Sequence, residues 1–143
     1  MRLAQNNIIV ELHVPDFGKV KTFYKKLGFK VAWERKPSGL KGYLVMKRGD
    51  NVLCFWPGNK DVGRHPYFSS WAKSTKRGYG VELVLMVKDV KSEYARVKKF
   101  AKVVEELKLK PWGLYDFRIE DPFGYYIRIT APYNTLDDSN AVP

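Results

Sequence analysis

The sequence predicts an α+β fold made of two copies of one βαβββ module. The main observation is a strand-to-helix phrase that occurs twice, at residues 10–16 and again at residues 82–89. The aspartates that close the two phrases, Asp16 and Asp89, are 73 positions apart, about half of the 143-residue chain. Each copy therefore has the length of one supersecondary unit. The second observation is that three strand-like runs follow each predicted helix.

Each phrase begins with a strand in which apolar and polar residues alternate, as in a half-buried strand. The aspartate that follows can accept hydrogen bonds from the first free N–H groups of a helix, so Asp16 and Asp89 are predicted N-caps. The first helix is predicted to run to Leu27, before Gly28, and the second to about Phe100. Apolar residues recur in both at helical spacing. They are Val20, Phe23, Tyr24 and Leu27 in the first helix, and Val90, Tyr94, Val97 and Ala101 in the second.

The strands after each helix alternate in the same way and are joined by turn-forming residues. Hairpin turns are predicted at residues 47–50 and 121–124, where glycine and aspartate occur together. The predicted strands lie at residues 30–35, 42–47 and 51–56 in the first copy, and at 102–109, 114–120 and 125–130 in the second.

We expect a single domain in which module 1 covers about residues 7–57 and module 2 about residues 80–131. The connector, about residues 58–79, interrupts the strand pattern with proline and glycine and has a possible helix at 67–73. Connectors of this length are uncommon without a function, and a flap over a ligand site is one such function. The tail at 135–143 has little apolar content and is expected to fray.

Composition agrees with a folded protein in a reducing compartment. A hydrophobic content of 45% excludes a disordered chain. No apolar run approaches the roughly 20 residues that cross a bilayer, and we expect neither a signal peptide nor membrane association. Cys54 is the single cysteine, so no intrachain disulfide is possible. We expect a cytoplasmic location.

Several short motifs together resemble the vicinal oxygen chelate superfamily of glyoxalase, bleomycin-resistance and extradiol dioxygenase proteins. The resemblance covers roughly residues 7–131 and is closest to the metal-free bleomycin-resistance-like branch. The motifs are residues 12–16 with Phe23-Tyr24 and 27–29, residues 87–90 with Tyr94, and residues 111–113 with Phe117 and 121–124.

The resemblance implies that the two modules form curved mixed sheets around a ligand cavity. Enzymes of the superfamily hold a divalent metal there, and register carries its four ligand positions onto Ile9, Cys54, Glu82 and Arg128. Ile9 cannot ligate a metal, and the permanent charge of Arg128 repels a cation. One thiol and one carboxylate make a poor ligand set. We therefore predict no metal, no cofactor and no catalytic residue.

Glu82 and Arg128 are predicted to point into the same trough. Ionised groups in such a place are costly unless they are paired. The two side chains are interpreted either as a structural ion pair that replaces the lost metal or as a polar anchor for one end of a ligand. His13 is more typical of a satisfied sheet residue than of a catalyst, because a lone imidazole needs a positioned partner.

Aromatic residues make up 15% of the chain, and many lie on or beside the predicted strands. Core packing accounts for part of them, but indole and phenol groups also suit a planar or amphipathic ligand held by stacking. In the connector, Trp71, Phe68 and His65 are candidate lid contacts. The predicted ligand-binding residues are Glu82, Arg128, His13, Trp33, Tyr43, Trp56, Trp71, Trp112, Tyr115, Phe117 and Tyr126.

A net charge of +11 and a pI near 9.7 restrict the kinds of molecule that this protein can bind. A strongly basic protein repels cationic drugs of the bleomycin type, whereas anionic, aromatic or neutral amphipathic molecules fit its field. Most lysines fall on the solvent faces of the predicted helices, and no helix-turn-helix, zinc or RNP signature accompanies them. Nucleic acid is therefore an unfavoured partner.

Three classes of function follow. The preferred class is a non-enzymatic binding protein that sequesters a hydrophobic or aromatic molecule, as in antibiotic resistance. The second is a metal-dependent lyase, isomerase or dioxygenase of the same superfamily, and the third is a basic module that interacts with nucleic acid. The resemblance also implies a homodimer, and exchange of modules between subunits stays open.

Overall fold

The computed structural model describes residues 8–38, 41–57, 67–70 and 75–137. The chain divides into two compact units, Met1–Thr75 and Lys76–Pro143. Each unit contains one copy of the repeated phrase.

Within the described residues, the first unit forms a helix and a four-stranded sheet. A short 3-10 helix follows at Phe68–Ser70. In chain order the elements are β1 (Glu11–Val14), α1 (Phe17–Lys26), β2 (Lys30–Arg35), β3 (Tyr43–Arg48) and β4 (Asn51–Pro57).

The second unit repeats this order of elements. They are β5 (Glu82–Met86), α2 (Val90–Val97), β6 (Lys102–Leu109), β7 (Tyr115–Glu120) and β8 (Tyr126–Thr130).

The two sheets have the same topology. The first has the strand order β1-β4-β3-β2, and the second has the order β5-β8-β7-β6. In each unit the first strand pairs in parallel with the last, and the remaining pairs are antiparallel. The predicted α+β class with two βαβββ modules is therefore confirmed.

Both predicted helix caps are present. The Asp16 carboxylate accepts a hydrogen bond from the backbone N–H of Lys19 at 3.1 Å. The Asp89 carboxylate accepts one from the N–H of Ser92 at the same distance. Such caps satisfy N–H groups that have no partner within the helix. After α1 the chain turns at Gly28, whose φ of 88° is a conformation that residues with a Cβ rarely adopt.

The core of each unit lies between its helix and one face of its sheet. In the first unit the Tyr24 and Phe55 rings are both almost fully buried, with centroids 5.2 Å apart. In the second unit Tyr94 packs against the buried Phe117 ring, with centroids 5.0 Å apart. The helix therefore covers only one face of each sheet, and residues on the opposite face are available for other contacts.

Some predicted boundaries need correction. Helix α2 ends at Val97 and not near Phe100, and the chain continues in a turn because the Phe100 N–H donates to the Val97 carbonyl. Of the possible helix at 67–73, only the 3-10 turn Phe68–Ser70 is present, and residues 71–74 lie outside the described residues. Most of the connector and the end of the predicted tail also lie outside them.

Candidate functional site

The face of the first sheet that α1 does not cover is rich in aromatic side chains. Strand register places His13 beside Trp56 and Glu11 beside Cys54. Residues at alternate positions of β2 and β3 extend the same face. This surface, here called the aromatic face, consists of Glu11, His13, Trp33, Tyr43, Cys54 and Trp56.

Trp33 and Tyr43 form the stacked centre of the aromatic face. Their ring centroids are 5.6 Å apart and their planes differ by 24°. Trp56 meets Tyr43 edge-on, with centroids 6.3 Å apart. Trp33 nevertheless remains 50% exposed, although indole is one of the most costly apolar groups to leave in water. The arrangement presents a ring surface that a planar molecule could cover.

The hydroxyl of Tyr43 contacts two polar groups. It donates a hydrogen bond to Oε2 of Glu11 at 2.7 Å and lies against the buried thiol of Cys54. Desolvation, followed by the contacts with Glu11 and Cys54, raises the pKa of Tyr43 well above its ordinary value. Tyr43 is therefore a neutral hydrogen-bond donor at physiological pH.

His13 lies at the edge of this face. Its ring is 6.3 Å from Trp56 and is edge-on to Phe68 at 5.9 Å, centroid to centroid. Its Nε2 atom lies 4.0 Å from Oε1 of Glu11. Phe68 is thus the described residue of the predicted lid that contacts the face. Trp71 and His65, the other lid candidates, lie outside the described residues.

Two cations lie over the rings of the aromatic face. The guanidinium carbon of Arg35 is 5.9 Å from the ring centroid of Tyr43. The ammonium of Lys41 is 5.2 Å from that of Trp56. Both distances are within the range of cation–π attraction.

The corresponding face of the second sheet is ionic. The Nε atom of Arg128 lies 3.3 Å from Oε1 of Glu82, which confirms the predicted pairing of these side chains. Nε of Arg118 lies 4.0 Å from the same oxygen. Neither Nε–H group is directed so as to form a hydrogen bond, so both contacts are electrostatic. We call this surface the ionic face, and it consists of Glu82, Glu105, Lys110, Asp116, Arg118 and Arg128.

The most deeply buried members of the ionic face are Asp116 and Lys110. The Asp116 carboxylate is fully buried and accepts no hydrogen bond within the described residues. The ammonium of Lys110 lies 3.6 Å from Oδ1 of Asp116 and also contacts Glu105. Arg118 approaches Asp116 at 4.0 Å and Glu105 at 3.6 Å. Glu82, Glu105 and Asp116 thus each have a cation within 4.0 Å, which offsets part of the cost of desolvating them.

Tyr126 and Trp112 adjoin the guanidinium groups of this face. The Nη1 group of Arg118 donates a hydrogen bond to the hydroxyl of Tyr126 at 3.1 Å. Burial alone would lower the pKa of Arg118, but the contacts with Tyr126, Glu82 and Asp116 raise it above its ordinary value. The guanidinium carbon of Arg128 lies 5.9 Å from the ring centroid of Trp112, which is itself exposed.

Two predicted ligand contacts, Phe117 and Tyr115, do not lie on the ionic face. Phe117 is fully buried against Tyr94 of α2 and belongs to the core. Tyr115 lies on the same side of β7 as Phe117, with the ammonium of Lys91 from α2 4.6 Å from its ring centroid. Alternation along a strand places residues 115 and 117 on the face opposite Asp116 and Arg118. The Phe117 ring therefore packs against α2, whereas the Tyr115 ring remains partly exposed beside Lys91.

The positions that carry metal ligands in the superfamily do not fit a metal here. Ile9 is aliphatic, Cys54 is buried against Tyr43, and Glu82 is paired with Arg128. Across the described ranges, no three His, Cys, Asp or Glu side chains are grouped so that they could hold a metal ion. A guanidinium at the fourth position opposes a divalent cation electrostatically.

Comparison with known protein families identifies the family of this chain. The model of the glyoxalase/bleomycin resistance protein/dioxygenase superfamily matches residues 8–129. The chain therefore belongs to this superfamily. Among curated proteins the comparison found no match.

Solved structures agree with this assignment at the level of the fold. The hypothetical protein SA1046 from S. aureus is 23% identical, with a TM-score of 0.67, covering 92% of this chain and 96% of that one. A bleomycin resistance determinant encoded on the transposon Tn5 is 20% identical, with a TM-score of 0.60, and the coverages are 91% and 100%. A bleomycin-binding protein complexed with bleomycin is 19% identical, with a TM-score of 0.59, and the coverages are 90% and 100%. The fold implied by the sequence motifs is confirmed.

Sequence reasoning missed most of the ionic face. Asp116 and Arg118 could have been found from alternation through the apolar Phe117, because both then share a face with Arg128. Lys110 follows the end of β6, so only the tertiary structure brings its ammonium to Asp116.

Within the described residues, no helix is long and apolar enough to cross a membrane.

Proposed function

We propose that this protein binds a small hydrophobic or aromatic molecule without a metal and without catalysing a reaction. The observation that carries the proposal is the aromatic face, where Trp33 is stacked on Tyr43 yet half exposed, with Trp56 beside them. A planar ligand that covers these rings would remove their apolar surface from water, at about 25 cal/mol for each Å². Tyr43 and His13 supply polar groups at the margin of the same surface, which suits an amphipathic molecule.

The absence of a metal from the proposal rests on the residues at the superfamily's ligand positions. Ile9 offers no donor atom, and the Glu82 carboxylate already faces the guanidinium of Arg128. A catalytic metal needs several donors and an open coordination position, which this set of residues does not supply.

We assign Glu82 and Arg128 primarily to the structural network of the ionic face. Each carboxylate of that face has an oppositely charged side chain within 4.0 Å, which favours the structural interpretation over that of a ligand anchor. The exposed ring of Trp112 beside Arg128 remains a proposed ligand contact, as does Tyr126.

The biological role that we propose is sequestration of a toxic compound, as in antibiotic resistance, by a cytoplasmic homodimer. A solved protein of similar fold is described as bleomycin-binding and complexed with bleomycin, which supports binding of a small molecule as a role for the fold. The net charge of +11 disfavours a cationic ligand, so we propose a different compound from bleomycin. Light scattering on the purified protein tests the dimer.

The binding proposal is tested by calorimetry with a set of planar compounds. We expect saturable binding by at least one of them. Replacing Trp33 or Trp56 with Leu should weaken binding by roughly tenfold or more, because stacking residues in the centre of a contact contribute most of its free energy. Tyr79→Leu removes another strongly exposed aromatic ring, from the second unit, and serves as the matched control. Equal losses in all three variants would contradict the site.

Elemental analysis separates a binding protein from a metal-dependent enzyme. We expect less than stoichiometric nickel, zinc, iron or manganese in protein that is purified without chelator. A tightly bound metal at one equivalent per chain would overturn the metal-free proposal.

A further inference from the structure

The cations on the two sheet faces have different kinds of partner. On the ionic face, Lys110, Arg118 and Arg128 each have a carboxylate oxygen within 4.0 Å. On the aromatic face, Arg35 and Lys41 form no ion pair with any carboxylate in the described ranges. They lie over the rings of Tyr43 and Trp56 instead. As far as the described residues go, the first sheet therefore has unneutralised positive charge beside its stacking surface.

Arg35 is held in place while most of its donors stay available. Its Nε–H group donates to the backbone carbonyl of Lys41 at 3.0 Å, which fixes the guanidinium plane next to the Lys41 segment. The four N–H groups of its terminal nitrogens form no hydrogen bond within the described residues. A guanidinium with free terminal nitrogens can bind a carboxylate in bidentate fashion.

Carboxylate groups on the same face do not cancel this charge. Glu11 is more than 4.0 Å from both cations, and its Oε2 atom accepts the hydrogen bond of Tyr43. Glu34, on the adjacent position of β2, is occupied by Lys21 at 2.7 Å and Lys36 at 3.4 Å. Arg35 and Lys41 together therefore outnumber the single carboxylate of the aromatic face.

We propose that the ligand of the aromatic face is a planar aromatic anion, whose ring stacks on Trp33 or Trp56 and whose carboxylate is bound by Arg35 and Lys41. This inference rests on the proposed function and specifies its ligand class. The cations lie over the rings of Tyr43 and Trp56 when no ligand is bound, and the anion draws them to the edge of the stack. Both side chains are exposed, so they reach the ligand without a change in the core.

Three probes with the same ring and different charge test the proposal by calorimetry at neutral pH. They are 2-naphthoate, naphthalene-2-carboxamide and 2-naphthylmethylammonium. We expect 2-naphthoate to bind about tenfold more tightly than the carboxamide, because a charge-assisted pair is stronger than a neutral contact. The ammonium probe should bind most weakly, since two cations repel it.

The double variant Arg35→Gln with Lys41→Gln should abolish the preference for 2-naphthoate over the carboxamide. Lys25→Gln with Lys36→Gln removes the same charge from exposed positions that do not contact the rings, and it should retain the preference. The control separates a local contact from the long-range field of a basic protein.

The outcomes distinguish this inference from the proposed function. If the carboxamide binds as tightly as 2-naphthoate, or the ammonium probe binds best, the aromatic face still stacks planar molecules and the anion inference is wrong. An unchanged preference in the Arg35 and Lys41 variant would overturn the assignment of those residues. If none of the three probes binds, the proposed function fails and the inference fails with it.

Discussion

Oε1 of Glu82 lies 3.3 Å from Nε of Arg128 and 4.0 Å from Nε of Arg118. The two arginines are direct cross-strand partners on β7 and β8. Like charges in such positions destabilise a sheet, so one carboxylate offsets the repulsion between both guanidinium groups. A carboxylate at the start of the first strand of this module therefore stabilises the pairing of the third and fourth.

This relationship predicts a measurable coupling between Glu82 and Arg128. In a double-mutant cycle with Glu82→Gln and Arg128→Gln, urea unfolding should give a coupling energy of about 1 kcal/mol. The pair of Lys102 and Glu120, in which the lysine side chain is 71% exposed, provides a control cycle, where we expect less than about 0.5 kcal/mol. Equal coupling in the two cycles would show that the shared carboxylate has no special role.

Lys110 should matter far more for stability than Lys108, although both contact Glu105. The Lys110 side chain is 7% exposed and also faces the buried Asp116, whereas that of Lys108 is 60% exposed. Lys110→Met should lower the free energy of unfolding by about 3 kcal/mol, because it leaves a buried carboxylate undercompensated. Lys108→Met should change it by less than about 0.5 kcal/mol.

A second variant separates loss of the charge partner from loss of packing at Lys110. Adding Asp116→Leu to Lys110→Met removes the buried carboxylate, so the double variant should be more stable than Lys110→Met alone. A further loss of stability in the double variant would contradict the electrostatic explanation.

Acid sensitivity should depend on the cap of α2. Hydrogen bonds from the Ser92 backbone N–H and hydroxyl hold the pKa of Asp89 below its ordinary value of 3.8. Because the native pKa is lowered, the stabilisation is present above the ordinary pKa and is lost as the pH falls through the native value. We expect Asp89→Asn, which keeps a capping oxygen, to show a smaller loss of stability than wild type between about pH 4 and pH 2.

The comparison variant for the cap is Asp89→Ala. It should be destabilised even at neutral pH, because it lacks any capping oxygen. A difference between wild type and Asp89→Asn that is the same at pH 6 and at low pH would contradict the assigned role of the charge.

Alkaline sensitivity should depend on Tyr43. Desolvation, with the contacts to Glu11 and Cys54, raises its pKa above the ordinary value of 10.0. For a raised pKa the stabilisation is present below the ordinary value and is lost as the pH rises through the native one. Tyr43→Phe cannot ionise, so its free energy of unfolding should fall less than that of wild type when the pH is raised above about 10.

Glu11→Gln is the companion variant for Tyr43. It keeps an acceptor for the phenol and removes a negative charge, so it should reduce the alkaline loss only in part. Identical pH profiles for wild type and Tyr43→Phe would show that the Tyr43 hydroxyl does not control stability at high pH.

Local sequence patterns predicted much of this fold. The strand at residues 30–35 and that at 102–109 have the predicted bounds, and both capping aspartates are where the pattern indicated. The pairing of Glu82 with Arg128 was also predictable, because register within a module follows from the repeat. The prediction that Phe117 contacts a ligand was wrong. An aromatic side chain suits both ligand binding and core packing, and the Phe117 ring packs in the core.

The sequence by itself determined the two βαβββ modules and their helix caps. These follow from alternation and hydrogen-bonding groups over a few positions. Only the tertiary structure decided that Lys110 faces Asp116, and that Arg35 and Lys41 lie over aromatic rings with no carboxylate partner among the described residues. The physical reason is that the cost of a charge depends on its surroundings, and those surroundings come from strands and loops distant in the chain.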